Sequence, residues 1–178
     1  MREYGDIVSG LRDLKLKVID NEVKFSLIKS PIDSISEKLD FVMDTFPDDV
    51  ISGSLSLYLL GLITRTPNDI DIVIPDKNRY DKYLIGDYDD ELLIPNRLGV
   101  RSFKYKKNFF SKVRDYEVDF FEDKNPVFFA LPYNRKLIKI HNPIEVIQFK
   151  LDILKNSGSY TTVATKHKDD LTRILQEF

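Results

Sequence analysis

Asp69 and Asp71 stand two residues apart in the run Asp69-Ile-Asp-Ile-Val-Ile74. Alternation at period 2 predicts a strand, with Ile70, Ile72 and Ile74 on one face and the two aspartates on the other. Carboxylates held side by side repel each other unless a cation lies between them, and hard oxygen ligands of this kind suit Mg²⁺. Upstream, Ser52-Gly53-Ser54 is a turn that opens a helix. Free N–H groups at a helix start favour a phosphate, Gly53 lets the backbone approach closely, and the Ser54 hydroxyl adds a hydrogen bond. A phosphate cradle beside a divalent-metal site is the apparatus of phosphoryl or nucleotidyl transfer. Each half is ordinary alone: Asp-Ile-Asp is usually a solvated face of a sheet, and Gly-Ser before a helix is usually a cap. The order carries the reading, from strand to Gly-Ser, helix, turn and then hydrophobic-Asp-hydrophobic-Asp.

The elements that must position these groups follow from the flanking pattern. Val50 and Ile51 are β-branched and lead into the Gly-Ser turn. Leu55 to Ile63 is too long and too Leu-rich for a strand and is expected to be a buried helix. Thr64 to Asn68, with Pro67, stops it. Before this block, Ser30-Pro31 starts a helix with Ile32, Ile35, Leu39, Val42 and Phe46 on one face, and Pro47 ends it. Residues 1–30 read as a helix (Ile7, Leu11, Leu14) followed by a hairpin whose strands, Leu16 to Ile19 and Val23 to Ile28, flank Asp20-Asn21.

Beyond Pro75, Asp87, Asp89, Asp90 and Glu91 read as a solvated acidic loop, lacking the spacing of a calcium loop. Leu92 to Ile94 and Val100 to Tyr105 are short strands. Lys104, Lys106, Lys107, Lys112 and Arg114 interleave with Phe103, Tyr105, Phe109 and Phe110. That mixture either binds single-stranded nucleic acid or forms a hairpin with its lysines in water. Leu137 to Ile140 is a strand. Asn142-Pro-Ile-Glu145 caps a helix with the stripe Ile144, Ile147, Leu151 and Leu154, and a last helix starts near Thr165.

The block from Gly53 to Asp71 resembles the nucleotidyltransferase superfamily, the fold of DNA polymerase β, whose signature is Gly-Ser, a helix, then Asp-hydrophobic-Asp. The C-terminal part, with Lys150 and Lys166-His167-Lys168-Asp169-Asp170-Leu171, resembles minimal nucleotidyltransferases and the AbiEii-like group. The resemblance implies a third carboxylate on a later strand, met by Val118-Asp119-Phe120, with Glu117 in reserve. It implies a mixed α/β sheet flanked by helices, with a helical C-terminal extension. Residues 1–30 are then an appendage, 31–135 the catalytic core and 136–178 a helical part packed on it. Asp69, Asp71 and Asp119 would hold two Mg²⁺ ions, or Mn²⁺ in their place. Gly53, Ser54, Arg65, Lys150 and Lys166 would bind the triphosphate of an NTP. NMP would pass to a hydroxyl, with pyrophosphate leaving. The acceptors implied are an RNA or tRNA end or a protein, some relatives acting as toxins.

The whole chain bounds these expectations. A length of 178 residues, 42% hydrophobic, suits one globular domain with a real core. A net charge of −2 offers no global attraction to nucleic acid, so any RNA contact must be a local patch. Without cysteine there is no thiolate nucleophile or zinc-thiolate site. No apolar run approaches a membrane span and the start does not read as a signal peptide, so a cytoplasmic protein is expected. Only two histidines, far apart, argue against a histidine-based nucleophilic triad. Two further readings stand beside the enzyme: a non-catalytic nucleotide- or partner-binding module on the same fold, and an interaction protein with chance motifs.

Overall fold

A computed structural model describes residues 4–19, 24–28, 33–75, 91–95, 101–105, 116, 118–157 and 162–177. Helices α1 (Tyr4–Ile19) and α2 (Asp33–Thr45) lead into strand β1 (Val50–Ser52), helix α3 (Gly53–Leu59) and strand β2 (Ile70–Ile74). Strands β3 (Glu91–Pro95), β4 (Arg101–Tyr105), β5 (Val118–Glu122), β6 (Phe128–Tyr133) and β7 (Lys136–His141) follow, then helices α4 (Pro143–Ser157) and α5 (Thr162–Gln176). The strands form one mixed sheet in the order β3-β4-β5-β2-β1-β7-β6, with β2–β5 and β1–β7 parallel and the other neighbours antiparallel. The protein is therefore α/β, a mixed sheet with helices packed on it and a helical C-terminus.

Strand register sorts the side chains into rows. Ile140, Ile51, Ile72 and Phe120 lie in register across β7, β1, β2 and β5, each at most 2% exposed. That row belongs to the core, and Phe46, the residue just after α2, packs there with its ring edge-on to Phe120 at 5.5 Å. One residue along each strand, the side chains turn to the opposite face. Ser52 pairs with Asp71 and Asp71 with Asp119, so this neighbouring row is polar. The alternation of 69–74 thus does two jobs, burying three isoleucines and presenting the aspartates away from them.

The chain departs from its local patterns in four places. Helix α1 continues to Ile19 where a strand was expected from Leu16, because Val18 extends the packed stripe of Ile7, Leu11 and Leu14 at helical spacing. Residues 24–28 are not a strand, and the Asp20-Asn21 turn lies outside the described residues. Helix α3 stops at Leu59, not Ile63. Gly61 adopts φ +72°, its N–H bonds to the Tyr58 carbonyl at 2.9 Å and the Leu62 N–H to the Leu57 carbonyl at 2.9 Å. That is a Schellman termination; Leu62 and Ile63 stay buried as irregular chain. Strand β6 was not anticipated: Asn134 and Arg135, both at positive φ, turn it back onto β7 in a tight hairpin. Pro132 is tolerated because β6 lies at the sheet edge.

The helix stripes expected around Ile35, Leu39 and Val42 and around Ile144, Ile147 and Leu151 are buried as read. Ile7, Leu11 and Leu14 of α1 share one hydrophobic core with β1, β2, β7, α4 and α5. The Ser30-Pro31 cap, Asp87, Asp89 and Asp90 of the expected acidic loop, residues 106–115 of the basic-aromatic stretch and Glu117 lie outside the described residues, while Glu91, read as loop, opens β3 and Phe103 to Tyr105 belong to β4. Among the described residues no helix is long and apolar enough to cross a membrane.

Candidate active site

The polar row faces an open cavity of about 890 Å³ whose wall includes residues of α1, α3, α4 and α5. Gly53, Ser54, Asp69, Asp71, Asp119, Lys150 and Lys166 all line it. Seven residues singled out from sequence, spread over more than a hundred positions, therefore share one space. Arg65 stands behind them, reaching Ser54 without lining the cavity itself.

Gly53 is where the chain comes closest to the acidic row. Its φ of +62° lies in the left-handed region, and a Cβ built there would overlap the Asp71 side chain from its carboxylate oxygen back to its own Cβ. Glycine is thus required twice, by conformation and by space. The loop before Asp69 is held separately. Lys38 of α2 donates to the carbonyls of Pro67 and Asn68 at 2.9 and 3.1 Å, tying the start of β2 to that helix.

Electrostatics single out Asp71. Burial, then the negative charges of Asp119 and Asp69, push its carboxyl up to about 7, against the pull of Lys150 and Lys166. A carboxylate crowded by two others in a desolvated place is what a cation would relieve. Among the described residues no group of three or more Asp, Glu, His or Cys side chains is drawn together as a self-sufficient metal cage. Mg²⁺ is commonly held by one or two carboxylates together with waters and substrate phosphates. The donor set is all hard oxygen and fits that ion.

A cation bound at Asp71 would compete with its proton. Because the raised pKa makes the folded, metal-free chain retain a proton up to about pH 7, Mg²⁺ affinity is expected to fall roughly tenfold per pH unit below that value. Calorimetric titration between pH 5.5 and 8.5 measures this. A flat profile would remove Asp71 from the cation site.

A second, buried network sits under Ser54. Arg65 donates from Nε to Asp170 Oδ1 at 2.7 Å and from a terminal nitrogen to Asp170 Oδ2 at 2.6 Å. The same terminal nitrogen donates to Ser54 Oγ at 2.7 Å. Lys150, buried at 3% exposure, places Nζ 3.1 Å from Ser54 Oγ, 3.2 Å from Asp170 Oδ2 and 3.3 Å from His167 Nδ1. Its three donors are therefore all directed at protein groups. Lys150 lines the cavity with its donors engaged by the protein, while Lys166 lines it near enough to Asp71 to lower its pKa.

Burial lowers the Lys150 ammonium from its usual value, opposed by Asp170. Burial also acts to raise Asp170, but the Arg65 hydrogen bonds and the Lys150 charge outweigh it and hold the carboxyl low. His167 is pushed down to about 4 by burial and by Lys150, so its ring is neutral near pH 7. Since Lys150 can only donate, Nδ1 accepts and the ring proton sits on Nε2. Asp170→Asn would leave two cations facing each other in a buried place. It is expected to lower stability by about 3 kcal/mol, read as a reduced urea midpoint at unchanged slope; an unmoved midpoint would show that the network adds nothing to the fold.

Sequence reasoning missed four wall residues. Lys15 of α1 lines the cavity, although residues 1–30 carried no expected chemistry. His141 ends β7, and Ser52 Oγ lies 2.8 Å from its Nδ1. Glu145 was expected to complete a capping box. Instead Asn142 Oδ1 caps by accepting from the Ile144 N–H at 3.0 Å, the Asn142 N–H goes to the Val127 carbonyl, and Glu145 Oε2 meets His141 Nε2 at 2.6 Å. His141 thus stands between a serine and a carboxylate. Sequence distance says little once β7 pairs with β1.

Comparison of the chain with known protein families, with curated proteins and with solved structures finds no match.

Proposed function

We propose that the chain is a Mg²⁺-dependent nucleotidyltransferase, moving NMP from an NTP to a hydroxyl acceptor with release of pyrophosphate. The observation that carries this reading is the register of Asp119 with Asp71, beside a Gly53 bend that touches the same carboxylate. Asp69, Asp71 and Asp119 would hold the divalent ions, Mg²⁺ or Mn²⁺. Bound there, the ions would neutralise the triphosphate and lower the pKa of the acceptor hydroxyl.

The chain's own residues have distinct parts. Gly53 keeps the bend flat against Asp71, and Ser54, fixed by Arg65 and Lys150, presents its hydroxyl to the triphosphate. Lys166 supplies positive charge at the cavity wall. A carboxylate oxygen of Asp119 takes the proton of the acceptor hydroxyl, whose oxygen bonds to the α-phosphorus as the bond to pyrophosphate breaks. Fixed positions and charge neutralisation account for most of the acceleration, as in phosphoryl transfer generally. The acceptor proposed is an RNA or tRNA end or a protein hydroxyl, and the place of action is the cytoplasm, where NTP and Mg²⁺ are abundant.

The test is incubation of the chain with each α-labelled NTP, Mg²⁺ and either total tRNA or a protein lysate. Label retained in the macromolecular fraction, together with released pyrophosphate, is expected. NTP binding without transfer to any acceptor would favour the non-catalytic module.

A further inference from the structure

The mechanism above gives no part to Ser52, His141 or Glu145, yet they form a hydrogen-bonded chain on the cavity wall, with Ser52 Oγ 2.8 Å from His141 Nδ1 and His141 Nε2 2.6 Å from Glu145 Oε2. Its direction follows from what each group can do. The Glu145 carboxylate only accepts, so Nε2 carries the ring proton. With Nε2 as the donor to Glu145, an unprotonated Nδ1 accepts from the Ser52 hydroxyl. The serine proton is turned toward β7, and its free oxygen lone pairs point away from it.

Register fixes what lies on that other side. Ser52 is the cross-strand partner of Asp71, and paired side chains on one face of adjacent strands approach within about 5 Å at Cβ. The row therefore runs His141, Ser52, Asp71, Asp119 across four neighbouring strands. Capping does not account for the serine. It occupies the N-cap position of α3, where a hydroxyl ordinarily accepts from the first turn, but it makes no capping hydrogen bond.

We propose that Ser52 Oγ is a neutral oxygen ligand of the divalent cation at Asp71, with His141 and Glu145 as the residues that orient it. This rests on the metal site of the preceding section and adds to it a ligand that the carboxylates do not imply. A hydroxyl on the strand position paired with Asp71 would complete an all-oxygen set of the kind Mg²⁺ takes.

The experiment titrates MgCl₂ alone, then CdCl₂ alone, into the full chain at pH 8, comparing wild type, Ser52→Ala, Ser52→Cys and His141→Ala. Mg²⁺ affinity is expected to fall about tenfold in both Ser52 variants and severalfold in His141→Ala. Cd²⁺ affinity is expected to rise on the order of tenfold in Ser52→Cys, because sulfur favours the softer cation. The chain has no other cysteine to confuse the reading. A hydroxyl that merely ties β1 to β7 would lower thermal stability and leave the ratio of Mg²⁺ to Cd²⁺ affinities unmoved, which overturns the proposal. Should the Ser52 variants fail to fold by circular dichroism, His141→Ala decides it, unchanged Mg²⁺ affinity counting against. Wild-type binding with unaltered variants overturns the serine ligand alone; a wild type that takes up no Mg²⁺ overturns the cation site as well.

Discussion

Asp71→Asn is expected to reduce NMP transfer on the order of a thousandfold while making the metal-free chain more stable. The two effects have one cause. In the metal-free chain the Asp71 carboxyl is raised to about 7 by burial, Asp119 and Asp69. A raised carboxyl pKa contributes stability that is complete at low pH and is lost as pH climbs through the folded value, so ionised Asp71 is a burden at pH 8. Asparagine has nearly the same shape and removes the charge. The variant should melt above metal-free wild type at pH 8, and the gain should shrink as pH falls toward 4. On the proposed mechanism the same lost charge would deprive the cation of its central ligand, so transfer should collapse. A variant that lost activity by unfolding would show the opposite stability change.

Gly53→Ala is expected to fail on both counts. A left-handed backbone costs a residue with a Cβ about 1–2 kcal/mol, and here the new atom has no room. It would stand 2.6 Å from Asp71 Cγ and 2.9 Å from Asp71 Cβ, so turning the Asp71 side chain to another rotamer does not clear it. Either the bend lifts off β2 or Asp71 leaves the acidic row. Transfer should fall as far as in Asp71→Asn, but with a lowered urea midpoint. Gly5→Ala is the control: it lies exposed in the first turn of α1 with nothing within 4 Å of the new Cβ, and should leave the urea midpoint unchanged or slightly raised. Gly53→Ala with wild-type transfer would show that the bend does not set the position of Asp71.

What could be read from the chain was whatever lay in local pattern. The 69–74 alternation announced both the buried isoleucines and the shared face of the aspartates. Proline and asparagine marked the start of α4. The end of α3 was legible too, since Gly61 is the usual left-handed terminator, but the run of buried leucines on either side of it disguised the stop. Strand β6 was hidden by Pro126 and Pro132, which suggest a loop until the edge position is known. Lys15, Ser52, His141 and Glu145 carried no local signal. Their place on the cavity wall depends on β7 pairing with β1 and on α1 lying against α4 and α5, contacts between segments about ninety or more residues apart in sequence. Lys150 shows the converse: its type and position suggested a phosphate contact, and only the packing reveals that Ser54, Asp170 and His167 occupy all its donors.

The most direct test of the acidic row is nucleotide binding with and without divalent cation. Calorimetric titration of each NTP into the wild-type chain at pH 8 should show binding in Mg²⁺ that disappears in EDTA and is absent in Asp71→Asn under both conditions. Equal affinity in Mg²⁺ and EDTA, or undiminished binding by the Asp71→Asn chain, would contradict it.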